Sequence, residues 1–156
     1  MGINVKSLLF TMSLSMLLIL LILMNLFVFV SGPMEKIRRH EAKIVNRLEE
    51  NFRLNDASIL RESNIGTPVW VGRATLNSEK IYFACDTYGN LLKWIQEDQI
   101  DLPKAVEYVS ETFDFEAIVT IGYYDTQIVI AVIGSKQELF LSPEDYAVLF
   151  KMEIEQ

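Results

Sequence analysis

The sequence predicts an α+β fold, in which an N-terminal transmembrane helix precedes two tandem units that each pack one helix on a four-stranded antiparallel sheet. Three observations predict this architecture. Residues 8–30 carry no charge. Residues 34–95 then have the pattern of one amphipathic helix followed by four β-rich segments joined by short turns. The same order returns over residues 102–152, which indicates an internal duplication.

The uncharged segment follows a short tail, residues 1–7, and is long enough to anchor the chain in a membrane. A helix over residues 8–30 would extend about 34 Å, and the hydrocarbon core of a bilayer is about 30 Å thick. The apolar region of a signal peptide is shorter, about 7–15 residues. Pro33 also directly follows the only small-residue site, Val30–Gly32, and disfavours cleavage there. The segment is therefore predicted to remain as a single-pass anchor.

Charge does not decide the orientation of this anchor. Lys6 and the terminal amine precede the segment, and a bare count of Lys and Arg on its two sides places the C-terminal side in the cytoplasm. The N-terminal tail is very short, however, and many single-anchor proteins keep such a tail inside. Beside the bilayer, the membrane-proximal basic residues are expected to contact lipid headgroups; they are Lys36, Arg38, Arg39 and Lys43.

The rest of the chain is acidic, which excludes some classes of partner. The net charge is −7 overall, and residues 44–156 carry 9 Lys and Arg against 19 Asp and Glu, or −10. Such a domain is repelled by phosphate backbones, so nucleic-acid binding is not expected. The single cysteine excludes an internal disulfide and fits both the cytoplasm and the outside of a Gram-positive cell.

The first unit begins after Gly32 and Pro33, which are expected to break the membrane helix. Apolar residues then recur on one face of a helix predicted over residues 34–52; they are Ile37, Ile44, Val45, Leu48 and Phe52. Four strands are predicted to follow, over residues 57–62, 69–76, 80–85 and 91–95.

The second unit begins at Asp101, which is predicted to cap a helix that has Pro103 in its first turn. Strands are predicted over residues 117–124, 127–133, 138–141 and 146–152. Ser142–Asp145 also has the pattern of a helix start, which leaves a terminal helix over Tyr146–Ile154 as an alternative; the repeat favours the strand. Ile128–Ile133 is apolar at nearly every position, which is typical of a strand covered on both faces. The two units are therefore expected to pack on each other, or a partner covers the second face.

Few residues offer catalytic chemistry. Cys85 and His40 are the only thiol and the only imidazole, and a buried structural cysteine is favoured over a nucleophile pair. One Cys and one His cannot form an ordinary zinc site. The turn Asp86–Asn90 has some features of a calcium loop but lacks the remaining ligands. The carboxylates fall at turns and helix ends, as surface acids do. The sequence predicts no catalytic residue, no metal site, no cofactor and no enzyme activity.

Aromatic residues are the candidates for a protein-binding surface, since aromatic side chains are enriched where proteins contact each other. The candidates are Trp70, Tyr82, Tyr88, Trp94, Tyr123 and Tyr124. About half of them are expected to face the cores of the two units. A flat exposed aromatic patch would indicate a protein partner, whereas an apolar groove between the units would indicate a smaller ligand.

Leu48–Ile95 resembles the TseB-like, PepSY-related proteins of Gram-positive bacteria. In this segment and in those proteins, a helix ends in an acidic turn and a strand pair follows. The next pattern is Lys80-Ile81-Tyr82, then Asp86 and a Gly turn, and it leads into a last strand. The turn Ser142–Asp145 departs from the family, which usually has a Gly turn there. The resemblance implies two cystatin-like or PepSY-like units on a membrane-anchored, extracytoplasmic protein with its N-terminus inside.

The same resemblance implies a function without catalysis. It predicts regulation of cell wall elongation through binding of a penicillin-binding transpeptidase. A second reading, a peptide-binding sensor or a peptidase-inhibitor ectodomain, stays open, and so does the oligomeric state.

Overall fold

The computed structural model describes residues 5–63 and 65–153, and for residues 5–8, 11 and 26–34 it describes the backbone alone. The chain forms two compact bodies, Met1–Glu41 and Ala42–Gln156. The helices are α1 (Val5–Phe52) and α2 (Leu102–Thr112), and a 3-10 turn lies at Glu97–Gln99. The strands are β1 (Asn55–Ser63), β2 (Val69–Leu76), β3 (Glu79–Asp86), β4 (Leu91–Gln96), β5 (Ala117–Tyr124), β6 (Gln127–Gly134), β7 (Gln137–Leu141) and β8 (Val148–Glu153).

The N-terminal part of the chain is one continuous helix, and the predicted break at Gly32 and Pro33 is wrong. α1 runs from Val5 to Phe52 through both residues. A proline removes one amide donor and crowds the carbonyl four residues earlier, which kinks a helix without always ending it. The predicted anchor and the predicted amphipathic helix are therefore parts of the same element.

The first body consists of the N-terminal part of α1, and its described apolar side chains are exposed. From Leu9 to Met24 the large apolar side chains are 50–71% exposed. The side chains of residues 26–30, which complete the uncharged segment, lie outside the described residues. Among the residues that the structure describes, no helix is long and apolar enough to cross a membrane.

The first sheet is an antiparallel meander with the strand order β1-β2-β3-β4, as the sequence predicts. Side chains alternate along its strands between two apolar faces. The C-terminal part of α1 covers one of these faces. Ile44 and Leu48 of α1 are buried there against Phe83 and Cys85 of β3. The register pairs Phe83 with Trp94 of β4.

The second sheet repeats this arrangement, with the order β5-β6-β7-β8 and α2 in the place of α1. Asp101 caps α2 as predicted, since its Oδ1 accepts a hydrogen bond from the Lys104 amide at 3.0 Å. β8 is a strand, so the alternative of a terminal helix is wrong. Tyr146 has a left-handed φ of 58° and the Ser142 amide donates to the Ala147 carbonyl at 2.9 Å, which reverses the chain instead of starting a helix.

The two helix-plus-sheet units pack on each other within the second body, which confirms that prediction. The face of the first sheet that α1 leaves open contributes Val71 and Ala84 to the same core as Ile130 and Val109 of the second unit. Polar contacts also join the sheets. Arg61 Nη2 lies 2.7 Å from Glu138 Oε1. The hydroxyl of Ser63, a residue of β1, donates to the carbonyl of a residue of β5, Tyr123, at 3.2 Å.

Candidate protein-binding surfaces

The structure does not bring the six predicted aromatic residues together, and two of them lie in cores. Trp70 is 8% exposed and belongs to the core under α1. Tyr82 is 5% exposed in the core that the two sheets share, and its hydroxyl donates to Glu97 Oε1 at 3.2 Å. Burial, and then the nearby Glu97 carboxylate, raise the pKa of Tyr82 above 10.0. Both rings stabilise the fold in these positions.

Tyr123 and Tyr124 are half-buried at the end of β5. The Tyr124 ring stacks on Phe150 with ring centroids 5.0 Å apart, and it also stacks on Phe140 at 6.0 Å. These three rings cover the face of the second sheet opposite α2, where Val129 is fully buried. Stacking of this kind accounts for Tyr124 as a packing residue, and Tyr123 packs against the core that the two sheets share.

The remaining two candidates are exposed and lie close together in the chain. Tyr88 is 69% exposed in the turn between β3 and β4, and Trp94 is 45% exposed on β4. Leu92, which sequence reasoning missed, is also 45% exposed on β4. β4 is an edge strand of the first sheet, so its outer side has no strand beside it among the described residues. We refer to Tyr88, Leu92 and Trp94 as the β4 edge.

The turn Asp86–Asn90 holds one end of the β4 edge in place. Asp86 Oδ1 accepts hydrogen bonds from the amides of Tyr88 at 2.8 Å and Asn90 at 2.9 Å, and its Oδ2 accepts from the Asn90 side chain at 2.7 Å. Gly89 has a φ of +80°, which favours glycine. Arg47 of α1 donates to the Tyr88 carbonyl at 2.8 Å, so the turn is fixed to the helix. The Asp86 carboxylate therefore stabilises the turn through hydrogen bonds. The sequence had shown some features of a calcium loop here.

These hydrogen bonds make the turn sensitive to acid. Burial raises the pKa of the Asp86 carboxyl, but the hydrogen bonds from Asn90, Tyr88 and Gly89 outweigh it and lower the pKa below 3.8. A lowered folded-state pKa stabilises the fold above the unfolded pKa, and this stabilisation is lost as the pH falls through the folded value.

We expect Asp86→Ala to reduce the free energy of unfolding by about 1 kcal/mol at pH 7 through the lost hydrogen bonds. The difference from the unsubstituted chain should shrink as the pH falls below 3.8 and through the lowered pKa of the folded carboxyl. Urea unfolding at a series of pH values measures this difference, with Asp98→Ala, at an exposed position, as the control. A difference that is constant with pH would show that the carboxylate does not hold the turn.

A second candidate surface is an open groove beside α2, which we call the α2 groove. It has a volume of about 900 Å³ and lies between the end of α2, the loop after it, the start of β5 and the end of β6. Apolar side chains form most of it, and they include Val106, Phe113, Phe115 and Ile118. Two carboxylates, Asp114 and Glu116, also line it. All of its lining residues belong to the second unit. It is therefore not the groove between the two units that the sequence analysis considered.

The described residues offer little catalytic chemistry. Cys85 is buried, and burial, followed by the charge of Asp86, raises its thiol pKa to about 12. Since the thiolate is the nucleophile, this cysteine is a poor one at neutral pH. No group of three His, Cys, Asp or Glu residues is arranged to hold a metal ion in the described part of the chain.

The predicted membrane-proximal basic residues lie on α1. Lys36, Arg38, Arg39 and Lys43 are all exposed. Arg39 forms an ion pair with Glu35 one helical turn earlier, with Nε and Oε1 3.0 Å apart. An exposed pair of this kind adds little stability, so these side chains remain available to anionic groups.

No protein-family model, curated protein or solved structure matches this chain significantly. The family resemblance of Leu48–Ile95 therefore stays a prediction.

Proposed function

We propose that this chain is a non-catalytic, membrane-anchored, extracytoplasmic protein that regulates cell wall elongation by binding a penicillin-binding transpeptidase. The observation that carries the proposal of a protein partner is the β4 edge, where an edge strand exposes Leu92 and Trp94. The resemblance of Leu48–Ile95 supports the transpeptidase as that partner.

The proposed anchor is the uncharged segment, residues 8–30. All of it lies in α1, and its described large apolar side chains are at least half exposed. A helix that is apolar on all sides is favourable only inside a protein core or a bilayer. Thr11, Ser13, Ser15 and Asn25 are its only polar residues, and the side-chain Nδ2 of Asn25 donates to the Leu21 carbonyl at 2.9 Å. A helix also satisfies its own backbone hydrogen bonds in lipid.

The β4 edge fits a protein partner better than a small ligand. An edge strand has backbone amide and carbonyl groups that another strand can pair with, and exposed apolar edges mark interaction sites. Trp and Tyr supply much of the binding energy at protein interfaces. The β4 edge contains one residue of each kind, Tyr88 and Trp94. The Asp86–Asn90 turn fixes the backbone position of Tyr88.

A photo-reactive phenylalanine analogue at position 94 of the full chain tests this surface in living cells. We expect irradiation to produce a covalent adduct that contains a penicillin-binding transpeptidase. The matched control carries the analogue in place of Leu149, which is 43% exposed on β8 and so resembles Trp94 in exposure. Adducts without any wall-synthesis enzyme would contradict the proposed partner, and equal yields from both positions would contradict the proposed surface.

The α2 groove favours a second function, that of a peptide-binding ectodomain. Its volume of about 900 Å³ falls within the range of ligand clefts, about 300–1,000 Å³. The groove and the β4 edge belong to different units, so one chain can carry both surfaces.

A further inference from the structure

We propose that the α2 groove binds an extended segment of another polypeptide that carries apolar side chains together with Lys or Arg. This inference deepens the second function given above and depends on neither the β4 edge nor the transpeptidase. Three properties of the groove and its surroundings carry it: an apolar lining, acidic side chains in that lining and a neighbouring edge strand.

The lining of the groove is apolar and open to solvent. Ile118 is 68% exposed and Val106 is 49% exposed. Beside them, the rings of Phe113 and Phe115 lie with centroids 5.8 Å apart. Phe115 also closes tightly over the end of β6, because a Cβ added to Gly134 would lie 2.7 Å from its ring. The groove is therefore a shaped apolar surface that a partner with apolar side chains can cover.

The charged residues that line the groove are both acidic. Asp114 and Glu116 line it, and both residues are exposed. No Lys or Arg occurs between Lys104 and Lys136, whereas five acids fall in that interval. Neither of those two lysines lines the groove. A cationic partner is attracted to such a surface and an anionic one is repelled, which selects Lys or Arg beside the apolar side chains.

The neighbouring strand edge favours a polypeptide over a small cation. β5 is an edge strand of the second sheet, and its first residues, 117–119, border the groove. The other end of β5 is covered, because Ser63 of the first sheet donates to the Tyr123 carbonyl. An extended peptide can add to such an edge through backbone hydrogen bonds and place alternate side chains in the groove.

Binding of a short fluorescent peptide of alternating Leu and Lys, with blocked ends, tests the proposal. The full chain is reconstituted in nanodiscs of zwitterionic phosphatidylcholine, since anionic lipid would adsorb the peptide and detergent would compete for an apolar groove. Fluorescence anisotropy is measured at about 0.15 M salt, where distant surface charges are screened. We expect saturable binding of this peptide, and no binding of the peptide with Glu in place of Lys.

Three variants separate the groove from the overall acidity of the chain. Asp114→Asn/Glu116→Gln should weaken binding about tenfold by removing two carboxylates. Ile118→Ser should weaken it about fivefold, and this side chain is exposed enough that the fold is kept. Glu144→Gln/Glu153→Gln removes two exposed acids outside the groove and should leave binding unchanged.

The results that overturn the proposal are equally specific. Absence of saturable binding, or equal losses in the groove and control variants, would show that the groove is not the site. A simple alkylamine has an apolar chain and a cation but no peptide group, and it would exclude the strand edge if it bound as tightly as the peptide. The measurement involves neither a transpeptidase nor the side of the membrane, so its failure is distinct from failure of the first proposed function.

Discussion

Leu17→Arg/Leu21→Arg is expected to remove the chain from the membrane fraction of cells. Each arginine in the middle of a membrane helix costs about 2.5–3.5 kcal/mol, so the pair opposes insertion by about 5–7 kcal/mol. Both leucines are at least half exposed on α1. Fractionation of cells that produce the full chain, followed by immunoblotting, gives the membrane-bound share.

The matched control is Leu17→Phe/Leu21→Phe, which changes size without adding charge. It should stay in the membrane fraction. If the arginine variant also remains there and resists extraction with alkaline carbonate, residues 8–30 do not act as the anchor.

Phe83→Ala is expected to have the largest effect on folding, a loss of about 3–5 kcal/mol in the free energy of unfolding. Phe83 is fully buried in the core under α1. Its ring lies over Gly72, where an added Cβ would be 2.5 Å from the ring and would also collide with the Ser58 carbonyl oxygen. A domain is stable by about 5–15 kcal/mol in total, so this change removes a large part of it.

Urea unfolding followed by tryptophan fluorescence measures this loss, because Trp70 and Trp94 both lie in the first sheet. Phe52→Ala is the control, since Phe52 is 37% exposed and its removal should cost much less. Equal losses in the two variants would contradict the described core.

The order of helices and strands could be predicted because it depends on local chemistry. Asn77 and Ser78 adopt left-handed φ values of 51° and 71° between β2 and β3, and Gly89 does so between β3 and β4. Turn residues and β-rich runs mark these boundaries in the sequence. The prediction of a helix break at Pro33 was wrong because local chemistry does not decide this position. The flanking residues continue the helix through a proline that is locally unfavourable.

Which candidate site residues are buried and which are exposed depends on tertiary structure and could not be predicted. Trp70 and Trp94 pair with the β3 residues Cys85 and Phe83, whose side chains both enter the core under α1. Trp70 is buried because β2 is an inner strand, whereas Trp94 is exposed because β4 is at the edge.

The packing of the two units on each other was predicted, but the individual contacts between the sheets could not be. Arg61 and Glu138 meet at 2.7 Å although they are far apart in the chain. The α2 groove was missed because its apolar lining comes from two strands, a loop and a helix. Its one local signal is the alternation of Phe113, Asp114, Phe115 and Glu116.

The most direct test of the central claim, an anchored chain whose folded part lies outside the cytoplasm, is a pair of reporter fusions after Gln156. Alkaline phosphatase is active outside the cytoplasm, and β-galactosidase is active inside it. We predict active phosphatase and inactive galactosidase on the full chain, and loss of phosphatase activity when residues 8–30 are deleted. Active galactosidase with inactive phosphatase would place the two sheets in the cytoplasm, as the count of Lys and Arg suggests, and would contradict the account.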